Sequence, residues 1–186
     1  MQALAEEAGV SVGLIYRYFG SKEDLLFAVI LDVLESYLTA VPEAVAAAGA
    51  DPVDQLVAGF RAYCEVLESH RSAAVLTYRA SRELGPEGIE RLKELEVDTA
   101  APFRKILAAG SDIFLPLDAE LTAYNLVMLA HAWALKHWYY ERLYTFDQYV
   151  AKQTALTLRS ILPRRRWLRA ARRHGLDETS LFSPDS

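Results

Sequence analysis

Between Gly9 and Lys22 the chain carries only two charges, Arg17 and Lys22, both positive and set among Ser11, Gly13, Tyr16 and Tyr18. That set suits one kind of chemistry, the contact of phosphate. Arg17 and Lys22 neutralise it, and Tyr16 and Tyr18 offer hydroxyls to it. Ser11 and Gly13 are small enough for close approach, and Val12 and Leu14 are apolar enough to meet a thymine methyl. The acids Glu6, Glu7, Glu23 and Asp24 fall outside this stretch, so a modest basic face fits a chain whose formal net charge is −5.

The elements that position these residues are short. Leu4, Ala5 and Ala8 form one apolar stripe at helical spacing, and Ile15, Tyr18 and Phe19 form another, with Phe19 read as a core aromatic. Gly9 tolerates the positive φ that ends a helix, Ser11 caps the next, and Ser21 caps a third with Glu23 and Asp24 in its first turn. Two helices joined this closely cross steeply, which presents the second to a DNA major groove.

Gly9-Val10-Ser11, followed by Tyr16-x-Tyr18-Phe19-x-Ser21-Lys22-Glu23-x-Leu25, resembles the head of the tetracycline-repressor-like (TetR/AcrR) family of bacterial regulators. The resemblance implies that Ser11, Val12, Gly13 and Leu14 face bases or nearby phosphates, while Tyr16, Arg17, Tyr18 and Lys22 hold the backbone. Family heads carry a further helix and a basic arm before this pair. The sequence is therefore expected to begin inside such a head, with Leu4, Ala8, Ile15 and Phe19 partly exposed. The family also pairs its last two body helices with those of a second subunit. That implies a homodimer reading a palindromic site, with Trp133, Tyr140, Val150, Leu158, Ile161 and Leu162 as interface residues.

The whole chain reads as all-α: a helix-turn-helix head, lacking the first family helix, on a helical-bundle body for ligand binding and dimerisation. It has no sustained alternation of apolar and polar residues and no hairpin signal. Residues 1–40 form the head and connecting helix, 41–163 the body and 164–186 a basic extension. Pro42 and Ala48-Gly49-Ala50-Asp51-Pro52 mark breaks. Helices are expected from Asp51, from about Ser72 to Leu84, from Pro86 to about Ala109, from Asp118 to about Tyr144 and from Asp147 to Leu162, where Pro163 stops the helix. At 186 residues and 52% hydrophobic the chain buries one good core with a small head. Its single cysteine, Cys64, allows no internal disulfide and fits a cytoplasmic location. The longest apolar run, Leu126 to Leu135, is too short to span a bilayer.

An apolar pocket between helices would draw on Phe60, Tyr63, Cys64, Leu67, Leu76, Tyr78, Phe103, Leu107, Met128, His131, Trp133 and Trp138. Arg79 and Arg82, three apart, either meet an anionic ligand head or stand solvated near Glu83. Leu76 to Leu84, and Trp133-x-Leu135-Lys136-His137-Trp138-Tyr139-Tyr140, are similar to family members that sense fatty acyl-CoA thioesters. His131 and His137, six apart, lie on different helix faces and do not share a metal. No cofactor is implied. There is no Glu-x-x-His, no phosphate-binding glycine loop and no nucleophile elbow, and Cys64 has no evident base, so an enzyme is not expected.

The expected function is a ligand-responsive DNA-binding transcriptional regulator, a repressor with a hydrophobic effector. The alternative is a dimeric small-molecule-binding protein whose incomplete head leaves it without DNA activity. Pro163 to His174 holds six arginines and no acid; removing them from the net charge leaves −11 on the remainder. This stretch is a short basic helix from Arg166 to Arg173 docked through Trp167 and Leu168, a flexible arm that touches DNA or an acidic surface, or a solvated tail. Ser183 to Ser186 reads as a disordered end.

Overall fold

Cap residues place most of the helix starts. Ser11 Oγ accepts from the Leu14 N–H at 3.1 Å, Ser21 Oγ from Asp24 at 3.0 Å, and Asp118 from Leu121 at 3.0 Å. Each satisfies an N–H that the first helical turn leaves unpaired. The computed structural model describes residues 1–80 and 83–176, with only the backbone of Ala80. The expectations for Arg82 and for Ser183 to Ser186 lie outside the described residues.

The described residues form eleven helices and no strand: α1 Gln2–Glu7, α2 Val12–Phe19, α3 Lys22–Ala47, α4 Pro52–Ser69, α5 Arg71–Ala80, α6 Pro86–Thr99, α7 Ala101–Ala109, α8 Ala119–Leu135, α9 His137–Tyr140, α10 Phe146–Ile161 and α11 Arg164–His174. Helices α1 and α2 form the head, joined at Gly9, whose φ of 66° is the left-handed value a glycine takes without strain. Helix α3 runs from the head along the body, where α4, α5, α6, α7, α8 and α10 pack around one core.

Several boundaries differ from the sequence reading. The helix expected from Asp118 to about Tyr144 divides at Lys136 into α8 and α9, and three others differ as well. Pro42 lies inside α3 without breaking it. A proline there removes a hydrogen bond to Leu38, but Tyr37 and Val41 on either side of that turn are 2% and 1% exposed, and their burial holds the helix together. The helix expected from Pro86 to Ala109 divides at Ala100, because Pro102 near the start of α7 has no N–H to continue the ladder. Helix α10 starts at Phe146 rather than Asp147, on a reciprocal capping box between Thr145 and Gln148. By length and composition α3 is apolar enough to cross a bilayer. Here it is the central core helix, with Ile30, Val33, Leu34, Tyr37 and Val41 buried.

Candidate nucleic-acid interface and ligand cavity

In the head, Ala5 and Ile15 are buried and close the small contact between α1 and α2. Nearly everything else on α2 faces outward. Tyr18 is 78% exposed, an extreme value for an aromatic side chain, and Leu14, Tyr16 and Arg17 are also exposed, as are Ser11 and Gly13. Val12 is half-buried. Leu4, Ala8 and Phe19 are exposed as well, Phe19 at 39%, so Phe19 is not a core aromatic and Ile15 alone of the expected open set is covered. Within the head, Ala5 and Ile15 are the side chains that α1 and α2 bury.

Lys22, at the first position of α3, has a partner that the sequence did not disclose. Its Nζ lies 2.7 Å from Glu83 Oε2 in the body. The hydrogen bond and charge of Glu83 hold the Lys22 ammonium above its ordinary pKa. A head cation read as a phosphate contact is thus paired with a body carboxylate just before α6.

Inside the body, α3, α4, α5, α6 and α8 enclose a cavity of about 30 Å³. All five elements contribute to its polar rim: Tyr37 from α3, Tyr63 from α4, Thr77 and Tyr78 from α5, Glu96 and Thr99 from α6, and Tyr124 and His131 from α8. The hydrogen bonds run in one direction. The Thr99 hydroxyl donates to the Glu96 carbonyl at 2.8 Å, so its oxygen is left to accept from Tyr63 at 3.3 Å. The Tyr63 oxygen therefore accepts from His131 Nε2–H at 3.0 Å. His131 Nδ1 then carries no proton and accepts from Tyr78 at 2.8 Å. Burial favours this neutral imidazole and lowers the His131 pKa to about 4. It also raises the Glu96 carboxyl and lifts Tyr78 to about 12.

Tyr37 stands outside this chain. Its ring stacks on Tyr63 with centroids 4.2 Å apart, and its buried hydroxyl has no partner among the described residues. A buried hydroxyl left unpaired is costly, so the cavity wall holds an unused donor.

Of the pocket residues proposed from sequence, Tyr63, Tyr78, Met128 and His131 line this cavity. Phe60, Leu67, Phe103 and Leu107 are core residues, between 0% and 2% exposed. Cys64 is equally buried, and desolvation drives its thiol pKa up, so it stays protonated. Trp133 is buried and donates to Glu68 at 2.7 Å, away from the cavity. Trp138 and Leu76 point to solvent at 61% and 40%, and Arg79 is exposed without lining the cavity. His137, on α9, packs against Trp133 and meets Arg71 and Glu141, so it never approaches His131. Sequence reasoning missed Tyr37, Glu96, Thr99 and Tyr124. Tyr37 carried a legible signal, a hydroxyl in the middle of the Ile30, Val33, Leu34 stripe.

The interface residues expected from the resemblance are placed differently. Trp133, Val150, Leu158, Ile161 and Leu162 are 1–6% exposed within their own chain, because α10 turns that face onto α4 and α8. Tyr140 is half-buried. The apolar residues left outward nearby are Trp138, Tyr139, Leu143 and Leu156. Beside them runs a groove of about 300 Å³ lined by Tyr140, Tyr144, Lys152, Leu156 and Trp167, among others.

Comparison with known proteins agrees with this geometry. Residues 1–29 match the family described as bacterial regulatory proteins, tetR family, and residues 49–160 match the tetracyclin repressor-like C-terminal domain. The chain is 35% identical over 161 residues to the HTH-type transcriptional regulator HbdR of Aromatoleum sp. (strain CIB), covering 86% of this chain and 70% of that protein. A bacterial regulatory protein of the tetR family from Rhodococcus RHA1 superposes with a TM-score of 0.74 at 25% identity, over 86% of this chain and 84% of the other. AibR, solved in complex with isovaleryl coenzyme A and operator DNA, shares the fold at a TM-score of 0.70 and 18% identity, over 83% and 84% of the two chains. A helix-turn-helix head on an all-α body, matched along both parts, identifies this chain as a transcriptional regulator of the TetR family.

Proposed function

We propose that the chain is a ligand-responsive repressor that binds a palindromic operator as a homodimer and responds to an acyl-CoA effector in the α3–α8 cavity, in the cytoplasm. Residues 1–40 act as head and lever, 41–163 as sensor and dimer body. The observation that carries the reading is the outward face of α2, with Tyr18 78% exposed and Tyr16 and Arg17 beside it. Together with Leu14 and Phe19, also exposed, the two tyrosines make an apolar patch of the kind that marks an interaction surface. Ser11, Val12, Gly13 and Leu14 then meet base edges, and Tyr16, Arg17, Tyr18 and Lys22 meet phosphates. Trp138, Tyr139, Leu143 and Leu156 supply the apolar face that a second copy covers.

Coupling follows from what α3 touches. Tyr37 sits in the cavity wall and Lys22 heads the same helix. The cavity holds no more than a water or two as closed, so an acyl group enters by displacing Tyr78 on α5. Glu83, the partner of Lys22, lies five positions after Tyr78 in sequence, so the displacement of Tyr78 is read as reaching the Lys22 pair. The effector's carbonyl accepts from the Tyr37 hydroxyl. An isovaleryl-CoA complex of a protein with the same fold, and the weak similarity to fatty acyl-CoA sensors, support this effector class. A preference of tenfold between head arrangements corresponds to about 1.4 kcal/mol, well inside the usual range of coupling.

The test is to select duplexes from a genomic fragment library with the purified chain, then titrate the bound fragment with CoA thioesters of short, branched, long and aromatic acyl groups. Release by one of them supports the reading. Binding of thioesters with no duplex ever retained supports the binding protein without DNA activity instead.

A further inference from the structure

The arginines of α11 divide into one that the fold uses and five that it does not. Arg173 holds Asp51 at 2.9 Å and Asp54 at 2.7 Å, and His174 lies 2.8 Å from Asp54. Trp167, Ala170 and Ala171 are buried against the body, and Gly175, at φ 64°, turns the chain so that Leu176 is buried too. Leu168 stays outside at 40% exposure, so Trp167 docks the helix without it. The basic stretch is therefore a fixed helix rather than a loose arm.

At 100° per residue, the docked side leaves Arg165, Arg169 and Arg172 on one outward stripe, with Arg164 and Arg166 flanking it. All five are exposed, and none forms an ion pair with any described residue. Three stand in the first turn, where the helix dipole disfavours cations, and no acid accompanies them. Like charges three and four apart also repel. Among the described residues, Asp51 shares a pocket with Arg166 and Arg169, but its carboxylate is paired with Arg173, and each remaining guanidinium is a planar fork matched to phosphate.

We propose that this face of α11 is a second, sequence-independent binding surface for the phosphates of duplex DNA. A lipid surface fits less well, because the apolar side that would enter a membrane is already turned onto the body. The surface is also remote from the head. Helix α3 spans about 39 Å, with Lys22 at one end and the α11 anchor Asp51 just past the other. DNA on α11 is therefore a different segment from DNA under α2, and the protein can hold two segments at once. This inference does not depend on the head reading operator sequence.

The test uses the full chain and a fluorescein-labelled 30-base-pair duplex of arbitrary sequence, with affinity measured by anisotropy across a salt series. Replacing Arg165, Arg166, Arg169 and Arg172 by Gln lowers the magnitude of the log-affinity against log-salt slope by about 3–4, at about 0.9 per phosphate lost. The same four positions as Lys retain most of the slope. If the quadruple variant fails to fold, R169Q/R172Q lowers it by about 2. An R17Q/K22Q head variant loses its own share and keeps the α11 share, which separates the two surfaces. An unchanged slope in folded α11 variants overturns the proposal. So does arginine-dependent binding to phosphatidylserine vesicles with none to the duplex, which would assign the face to a lipid surface.

Discussion

Replacing Tyr37 by Phe removes one oxygen and leaves the ring stacked on Tyr63. Its consequences run in opposite directions. The hydroxyl is buried at 2% residue exposure and has no partner, a situation that costs about 1–3 kcal/mol. Its removal stabilises the ligand-free protein by about 1 kcal/mol, or roughly 2–4 °C in Tm for a chain of this size. If the hydroxyl is the donor awaiting the effector's carbonyl, Tyr37→Phe also forfeits a hydrogen bond of about 1 kcal/mol in the complex, roughly fivefold in affinity. Urea unfolding gives the first quantity. Calorimetric titration with whichever acyl-CoA binds the wild type gives the second. A variant that is more stable and binds less tightly meets both. A less stable variant would show that the hydroxyl is satisfied in the free protein, and unchanged affinity would show that it never meets the ligand. Either result refutes the reasoning.

His131 is neutral when folded, with its pKa lowered to about 4, and accepts a proton more readily when unfolded. Stability is therefore lost as pH falls from about 6.5 toward 4, by up to about 3 kcal/mol, and the wild-type minus His131→Gln difference isolates this slope in unfolding midpoints. The Lys22–Glu83 pair is solvent-exposed, so it is weak and screened by salt. Glu83→Gln frees Lys22 for phosphate and raises duplex affinity about two- to fivefold at 50 mM salt, an advantage that vanishes by 0.5 M. An equal gain at both salts contradicts the pairing. Trp167→Ala empties the anchor of α11, costs about 3 kcal/mol and speeds tryptic cleavage between Arg164 and Arg173. Trp167→Phe is far milder, since it keeps most of the ring and deletes a buried N–H that has no partner.

How much was legible in advance follows from the range of each signal. Caps act over three residues, so Ser11, Ser21, Asp51 and Asp118 read directly as helix starts. Periodicity marked the buried stripe of α3, but on α2 it grouped Tyr18 and Phe19 with Ile15, of which only Ile15 is buried; the contact residues of α2 came from the family resemblance. Pro42 misled because local backbone cost lost to the burial of Val41, a tertiary effect. The cavity was only partly legible. Tyr63, Tyr78, Met128 and His131 were named from type alone, whereas Thr99 and Glu96 are tied to Tyr63 across 36 and 33 positions, which no local pattern reveals. Val150, Leu158 and Ile161 of α10 were expected at an interface for the same reason: only the neighbours of that helix decide that they are buried while Leu156 stays uncovered. Lys22 and Glu83, 61 positions apart, form a pair that the chain order hides.

The central claim joins a body cavity to the outward face of α2, and one titration tests it most directly. Fluorescence anisotropy of a selected duplex is followed while acyl-CoA thioesters are added to wild type and to Tyr37→Phe. The account predicts that at least one thioester weakens wild-type DNA binding by 5- to 150-fold, and that the variant needs about fivefold more of it for the same effect. A duplex held with equal affinity at every thioester concentration, or released identically from both proteins, would contradict it.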